Sequence, residues 1–233
     1  MKKIALFLML VVFSAFGADE LIIAAGGGYK KPISAIIENL KKDGINAVGA
    51  FANLGQLVIQ ARENKISLIV GDEAFLTKSE LKIAKFERLG SGELVLVTPK
   101  NIKIKDANEI ARFDKIAMPD PKKAIYGIRT EEFLKNAKLE ALKDKILPVA
   151  GVPQVVAYVL NGEVQAGFIN STEALARKDE FGSIIYIDQN LYSPVFIGIA
   201  KLNSCADEAL CEKVISEFKS EKSKEILAKF GLK

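Results

Sequence analysis

The chain has 233 residues, is 49% hydrophobic and carries a formal charge of +4, with no histidine and two cysteines. Such a small positive balance, without a basic stripe interleaved with aromatics, argues against general nucleic-acid binding. The missing histidines remove the commonest metal ligand, the commonest general base and any imidazole pH switch.

Residues 1–17 have the three parts of an export signal: Lys2 and Lys3, an apolar run from Ile4 to Phe13, and the small-x-small site Ala15-Phe16-Gly17. Cleavage is expected between Gly17 and Ala18, with no cysteine at the cut to carry a lipid. The run is shorter than the ~20 residues of a membrane span, and no later segment is long and apolar enough. The mature chain of about 216 residues, with a net charge near +2 once Lys2 and Lys3 are gone, is expected to be soluble and exported. In that compartment Cys205 and Cys211 are expected to form one short disulfide.

Short apolar strands then alternate with amphipathic helices. Strands are predicted at 20–25, 46–52, 67–71, 92–98, 115–118, 146–149, 165–169, 184–187 and 194–200. Helices are predicted at 31–42, 55–63, 76–81, 106–112, 128–137, 153–161, 171–177 and 207–230, the last broken near Glu221. This alternation predicts an α/β fold with mixed, mainly parallel sheets flanked by helices. Helix 31–42 carries the 3.6 period through Ile33, Ile36, Ile37 and Leu40, and Asp43-Gly44 ends it. Strands 92–98 and 194–200 suggest a chain that crosses out and back, making two lobes, a cleft and a two-stranded hinge. The expected division is 18–90 with 197–233 as lobe one and 91–196 as lobe two.

Five junctions between strands and helices are rich in glycine, proline or small polar residues. They are Gly26-Gly27-Gly28, Phe51-Ala52-Asn53-Leu54-Gly55-Gln56, Pro119 to Gly127, Gly151-Val152-Pro153 and Asn170-Ser171-Thr172. Ligands of open α/β sheets sit at the carboxyl ends of strands, and helix N-termini there offer unsatisfied N–H groups to an anion. Lys30, Lys31, Lys122 and Lys123 stand near helix starts, where the dipole disfavours a cation; they either steer an anion or are solvated surface lysines. Arg129 is either a bidentate clamp or an exposed first-turn residue before Thr130-Glu131-Glu132. Asp72-Glu73 reads as turn and cap chemistry. No Gly-x-Ser-x-Gly elbow, phosphate loop or Gly-x-Gly-x-x-Gly fingerprint occurs, so an enzyme is not expected.

In order and spacing, these pieces resemble the periplasmic molybdate-binding proteins of ABC importers and, less closely, other tungstate and oxyanion binders. The resemblance rests on Ala24 to Pro32, Phe51 to Leu57, Ile69-Val70-Gly71-Asp72, Leu94 to Lys100, Met118-Pro119-Asp120-Pro121, Asn161 to Phe168 and Phe230-Gly231-Leu232. It implies a two-lobe binding protein of type II that closes on a tetrahedral dianion held by hydroxyls and backbone N–H groups. Carried over by position, the family's first serine falls on Gly27 or Gly28, its second within Asn53, Leu54 and Gly55, its backbone donors on Tyr126 beside Gly127 and on Val152, and its tyrosine on Asn170. At least two hydroxyl donors are thereby replaced; backbone N–H groups and the amides of Asn53 and Asn170 would substitute, and Tyr29, Tyr126 or Ser171 could supply a hydroxyl. The resemblance implies no cofactor and no metal, a periplasmic monomer, a small oxyanion ligand (molybdate or tungstate first) and a permease partner in the inner membrane. Sulfate, phosphate or a small organic anion held by Arg129 remain open as ligands, as does a secreted enzyme acting on an anionic substrate.

Overall fold

A computed structural model describes residues 20–63 and 66–233, so the expected export signal at 1–17 lies outside the described residues. Two sheets of five strands each carry the fold. In the first, β1 (Leu21–Gly26) lies between β2 (Ala47–Ala52) and β3 (Leu68–Asp72), parallel to both. Beyond β3 come β10 (Val195–Leu202) and β4 (Ile83–Gly92), each antiparallel to its neighbour. In the second, β6 (Ile116–Pro119) lies between β7 (Ile146–Val149) and β8 (Ala166–Asn170), again parallel to both. Beyond β8 come β5 (Leu94–Val97) and β9 (Ile184–Tyr186), both antiparallel. The two sheets therefore share one layout, a parallel half and an antiparallel half.

Only Glu93 separates β4 in the first sheet from β5 in the second, and the return run enters β10 at Val195, which pairs with Gly92. The sheets are thus joined by two adjacent crossings. The expected strand 92–98 is shorter than its sequence suggests because the chain changes sheet at its start.

Helix α1 (Lys30–Lys42) buries Ile33, Ile36, Ile37 and Leu40 on one stripe, each contributing about 1.5–3 kcal/mol of transfer free energy. α2 (Leu54–Arg62), α5 (Val152–Leu160) and α6 (Ser171–Ala176) fall where the sequence places them. The C-terminal helix breaks as expected into α7 (Glu208–Phe218) and α8 (Glu221–Lys229), the second capped by Ser220, which accepts from the Ser223 N–H. Cys205 and Cys211 form a disulfide with Cα atoms 6.7 Å apart, tying α7 to the loop before it.

Four expectations need correction. Helix 76–81 is instead α3 (Glu73–Lys78), because Asp72 caps it from the end of β3 and Glu80 turns left-handed at φ 62° just beyond it. Helix 128–137 is α4 (Ile125–Asn136), so Arg129 and Thr130 lie beyond its first turn; the Thr130 hydroxyl donates back to the Tyr126 carbonyl, 2.6 Å away. Segment 106–112 is a 3-10 turn, Ala107–Arg112, closed by a capping box between Asp106 and Glu109. β4 has no counterpart among the expected strands. It lies at a sheet edge and carries Lys85 and Glu87, which pair with Glu212 and Lys219, so its alternation is blurred by the charges that protect an edge.

Candidate functional site

Gly26, Ala52 and Asp72 end three strands of the first sheet; Pro119, Val149 and Asn170 end three of the second. The helices that follow these ends begin around a single cavity of about 390 Å³, lined from both sheets. Of the residues singled out in the sequence, Gly27, Gly28, Asn53, Leu54, Tyr126, Val152 and Asn170 line it. Gly55 and Gly127 do not. The N–H of Gly55 donates to the Lys123 carbonyl at 3.2 Å, one of the direct links between the two halves. Gly127 is a packing glycine: a Cβ there would stand 2.2 Å from the carbonyl oxygen of Pro119.

The helix starts differ in what they can offer. α2 is capped by Asn53, whose Oδ1 accepts from the Gln56 N–H at 2.9 Å and whose Nδ2 donates to Gln56 Oε1 at 2.7 Å. Its amide is engaged locally rather than presented to a ligand. α4 and α5 have no side-chain cap. Their first N–H groups, on Ile125, Tyr126 and Val152, have no acceptor within their own helices and border the cavity. Pro153 occupies the first turn of α5, where its missing N–H is no loss. The chain thus turns an uncapped pair of helix N-termini towards the cavity, an arrangement that favours negative charge.

Direct bonds across the cleft close its inner end. The Tyr29 and Tyr126 hydroxyls are 2.6 Å apart and buried, and Asn170 Nδ2 donates to the Gly28 carbonyl at 3.0 Å. Burial pushes both phenols well above the usual tyrosine range. Gly92 has to be small here, since a Cβ would lie 2.1 Å from the Tyr126 hydroxyl. Gly28 faces Asn170 so closely that a Cβ would lie 2.9 Å from Oδ1. The glycine and the asparagine therefore fit each other: where the resemblance implies two hydroxyls, this chain has a backbone–amide pair.

Other expected participants stand elsewhere. Among Lys30, Lys31, Lys122 and Lys123, only Lys30 lines the cavity, its Nζ 5.9 Å from the centre of the Phe51 ring. Lys31 reaches the Ala176 carbonyl at 3.3 Å, and Lys123 pairs with Asp120 at 3.0 Å. Arg129 is buried rather than exposed, bound to Glu132 at 2.9 Å and to the Pro194 carbonyl at 3.2 Å, outside the cavity lining. Ser171 is also outside the lining, its hydroxyl donating to the Gly231 carbonyl at 3.4 Å. Sequence reasoning missed Asp72 as a wall residue. It does cap α3, accepting from the Phe75 N–H at 2.8 Å, but it also lines the cavity, and burial raises its carboxyl above the ordinary range. The signal was present in its position at a strand end, where a cap and a cleft wall coincide.

Comparison with known proteins agrees with this geometry. The chain is 27% identical over 232 residues to a Bacillus subtilis lipoprotein described as the substrate-binding part of an ABC transporter, covering 91% of this chain and 85% of that one. It is 23% identical over 231 residues to the molybdate-binding protein of Azotobacter vinelandii, covering 92% and 90%. The solved structure of the periplasmic molybdate-binding protein of Azotobacter vinelandii superposes with a TM-score of 0.83 at 19% identity, over 92% of this chain and 99% of that one, which shows the same two-lobe fold. The family of bacterial extracellular solute-binding proteins matches residues 21–233, and the chain belongs to it.

Proposed function

We propose that this protein captures a small anion in the cleft between its two lobes and delivers it to an ABC importer in the inner membrane. The lobes are 18–90 with 197–233 and 91–196, and the protein acts as an exported monomer and not as an enzyme. The observation that carries this reading is the pair of helices, α4 and α5, whose uncapped N-termini border one cavity shared by both sheets. Neutral N–H donors held by rigid helices bind an oxyanion without a counter-charge, and closing requires only that the ligand bind the closed form better than the open one. The glycines at 27 and 28 let backbone approach, while Tyr126, Val152, Leu54 and Asn170 are part of the remaining wall.

Molybdate or tungstate is the first ligand to test, on the strength of the relatives. A second reading, a different anion, is favoured by the wall itself: glycines and Asn170 stand where the resemblance implies a serine and a tyrosine, so the donor set differs from that of the family. Thermal melting with molybdate, tungstate, sulfate, phosphate and small carboxylates tests both readings, because a ligand at a hundredfold excess over its Kd stabilises the folded state by about 2.7 kcal/mol. A shift with at least one anion is expected; none with any of them contradicts anion capture.

A further inference from the structure

We propose that the cleft selects an anion that carries a proton donor, such as hydrogenphosphate or a hydroxylated carboxylate, over a fully ionised tetrahedral dianion. Asp72 and Asn170 would be its specificity-determining acceptors. The proposal rests on the anion-capture reading and changes which anion that reading favours.

Asn170 is 0% exposed and lines the cavity. Its Nδ2 donates to the Gly28 carbonyl, and because a carbonyl can only accept, that bond fixes which end of the amide is nitrogen. Oδ1 is left as an acceptor, and no described residue donates to it. Asp72 is 1% exposed on the same cavity wall. Ionised, its carboxylate can only accept, and the N–H groups of Phe75 and Ala74 use two of its lone pairs. Arg129 acts on it only through space, being bound to Glu132 and Pro194. Tyr29 and Tyr126 supply two hydroxyl protons, of which their mutual bond uses one, and Asn170 Nδ2 keeps its second N–H. The inner wall therefore holds more acceptors than free donors.

A fully ionised dianion adds only acceptors to such a wall and sets its charge against a buried carboxylate, where low polarity strengthens the repulsion. One proton on the ligand reverses the balance. Its O–H donates to the Asp72 carboxylate in a charge-assisted hydrogen bond, or to Oδ1 of Asn170, while its other oxygens face the N–H groups of α4 and α5.

Calorimetric titration of the purified protein at neutral pH tests this, with phosphate and glycerate as donor-bearing probes and sulfate and molybdate as donor-free ones. Phosphate or glycerate is expected to bind at least about tenfold tighter than sulfate and molybdate, because a site built to pair with a ligand hydrogen rejects analogues without it. Asp72→Asn keeps a good helix cap while replacing the charge with an amide donor, so that preference should fall to about threefold or less as sulfate and molybdate gain. Asp72→Ser, which also caps, makes the same comparison if the first variant folds poorly. Sulfate or molybdate binding as tightly as phosphate and glycerate overturns the proposal, as does a preference that both variants leave unchanged. Binding of none of the four contradicts anion capture itself, and the proposal falls with it.

Discussion

The two sheets share a layout, yet their helix starts differ. On the first, α2 and α3 are capped by Asn53 and Asp72, while the glycine turn that leads into α1 has no side-chain cap. On the second, α4 and α5 begin after Ala124 and Gly151 with no side-chain cap. A cap satisfies a helix start for stability; leaving it off keeps the donors for something else. The first half thus brings one uncapped glycine turn, two capped helix starts and an acidic wall, and the second brings the uncapped starts of α4 and α5. The residues that follow each strand end set what each half presents to the cleft.

The largest way to break this contrast is steric. Gly127→Ala places a methyl 2.2 Å from the Pro119 carbonyl and 2.6 Å from the Pro121 nitrogen, both backbone, so α4 has to shift. A loss of about 3 kcal/mol or more in urea unfolding is expected, at the upper end of overpacking costs. Next is Val152→Pro. Proline suits the first position of a helix, and Gly151 before it is already extended, so α5 should persist while its leading N–H disappears. Anion affinity is then expected to weaken by about 1.5–3 kcal/mol in calorimetry, the worth of a hydrogen bond to a charged group, with the melting temperature of the unliganded protein little changed.

Asn53→Ala sharpens the comparison from the other side. It removes a cap and should cost about 1 kcal/mol of stability while leaving anion affinity nearly unchanged, since the Asn53 amide is engaged with Gln56. Equal losses of affinity in Asn53→Ala and Val152→Pro would erase the distinction between the two halves. The smallest effect is one of pH. Burial raises the folded-state pKa of Asp72, so the folded chain holds that proton more tightly than the unfolded chain does. Its contribution to stability is therefore greatest below the ordinary carboxylate pKa of about 3.9 and is lost as pH rises through the raised value. Melting of the wild type against Asp72→Asn should show the variant gaining relative stability from acid to neutral pH.

Much of the frame was legible in the sequence because it follows from local pattern. The stripe Ile33, Ile36, Ile37 and Leu40 defines α1, and the apolar runs before Gly26, Ala52 and Asn170 mark strands whose ends meet at the cleft. What was hidden depends on partners far along the chain. β4 goes without a strand assignment in the sequence, and its place shows only when Lys85 and Glu87 are seen against Glu212 and Lys219. Asn170 looks like a donor for a ligand until its Nδ2 is found on Gly28, and Arg129 looks like either a bidentate clamp or an exposed first-turn residue until its burial against Glu132 and Pro194 is known. The Tyr29–Tyr126 bond joins residues 97 apart, and no local signal announces it.

The most direct measurement is calorimetric titration of wild type and Gly28→Val with whichever anion gives the largest melting shift. A side chain at position 28 begins 2.9 Å from Asn170 Oδ1, so it blocks the approach of the two halves where the anion would be enclosed. Tight binding in the wild type that disappears in a variant with an unchanged far-ultraviolet dichroism spectrum is the result expected if the anion is trapped in this cleft. Equal affinity in the two proteins would place the anion elsewhere and contradict the account.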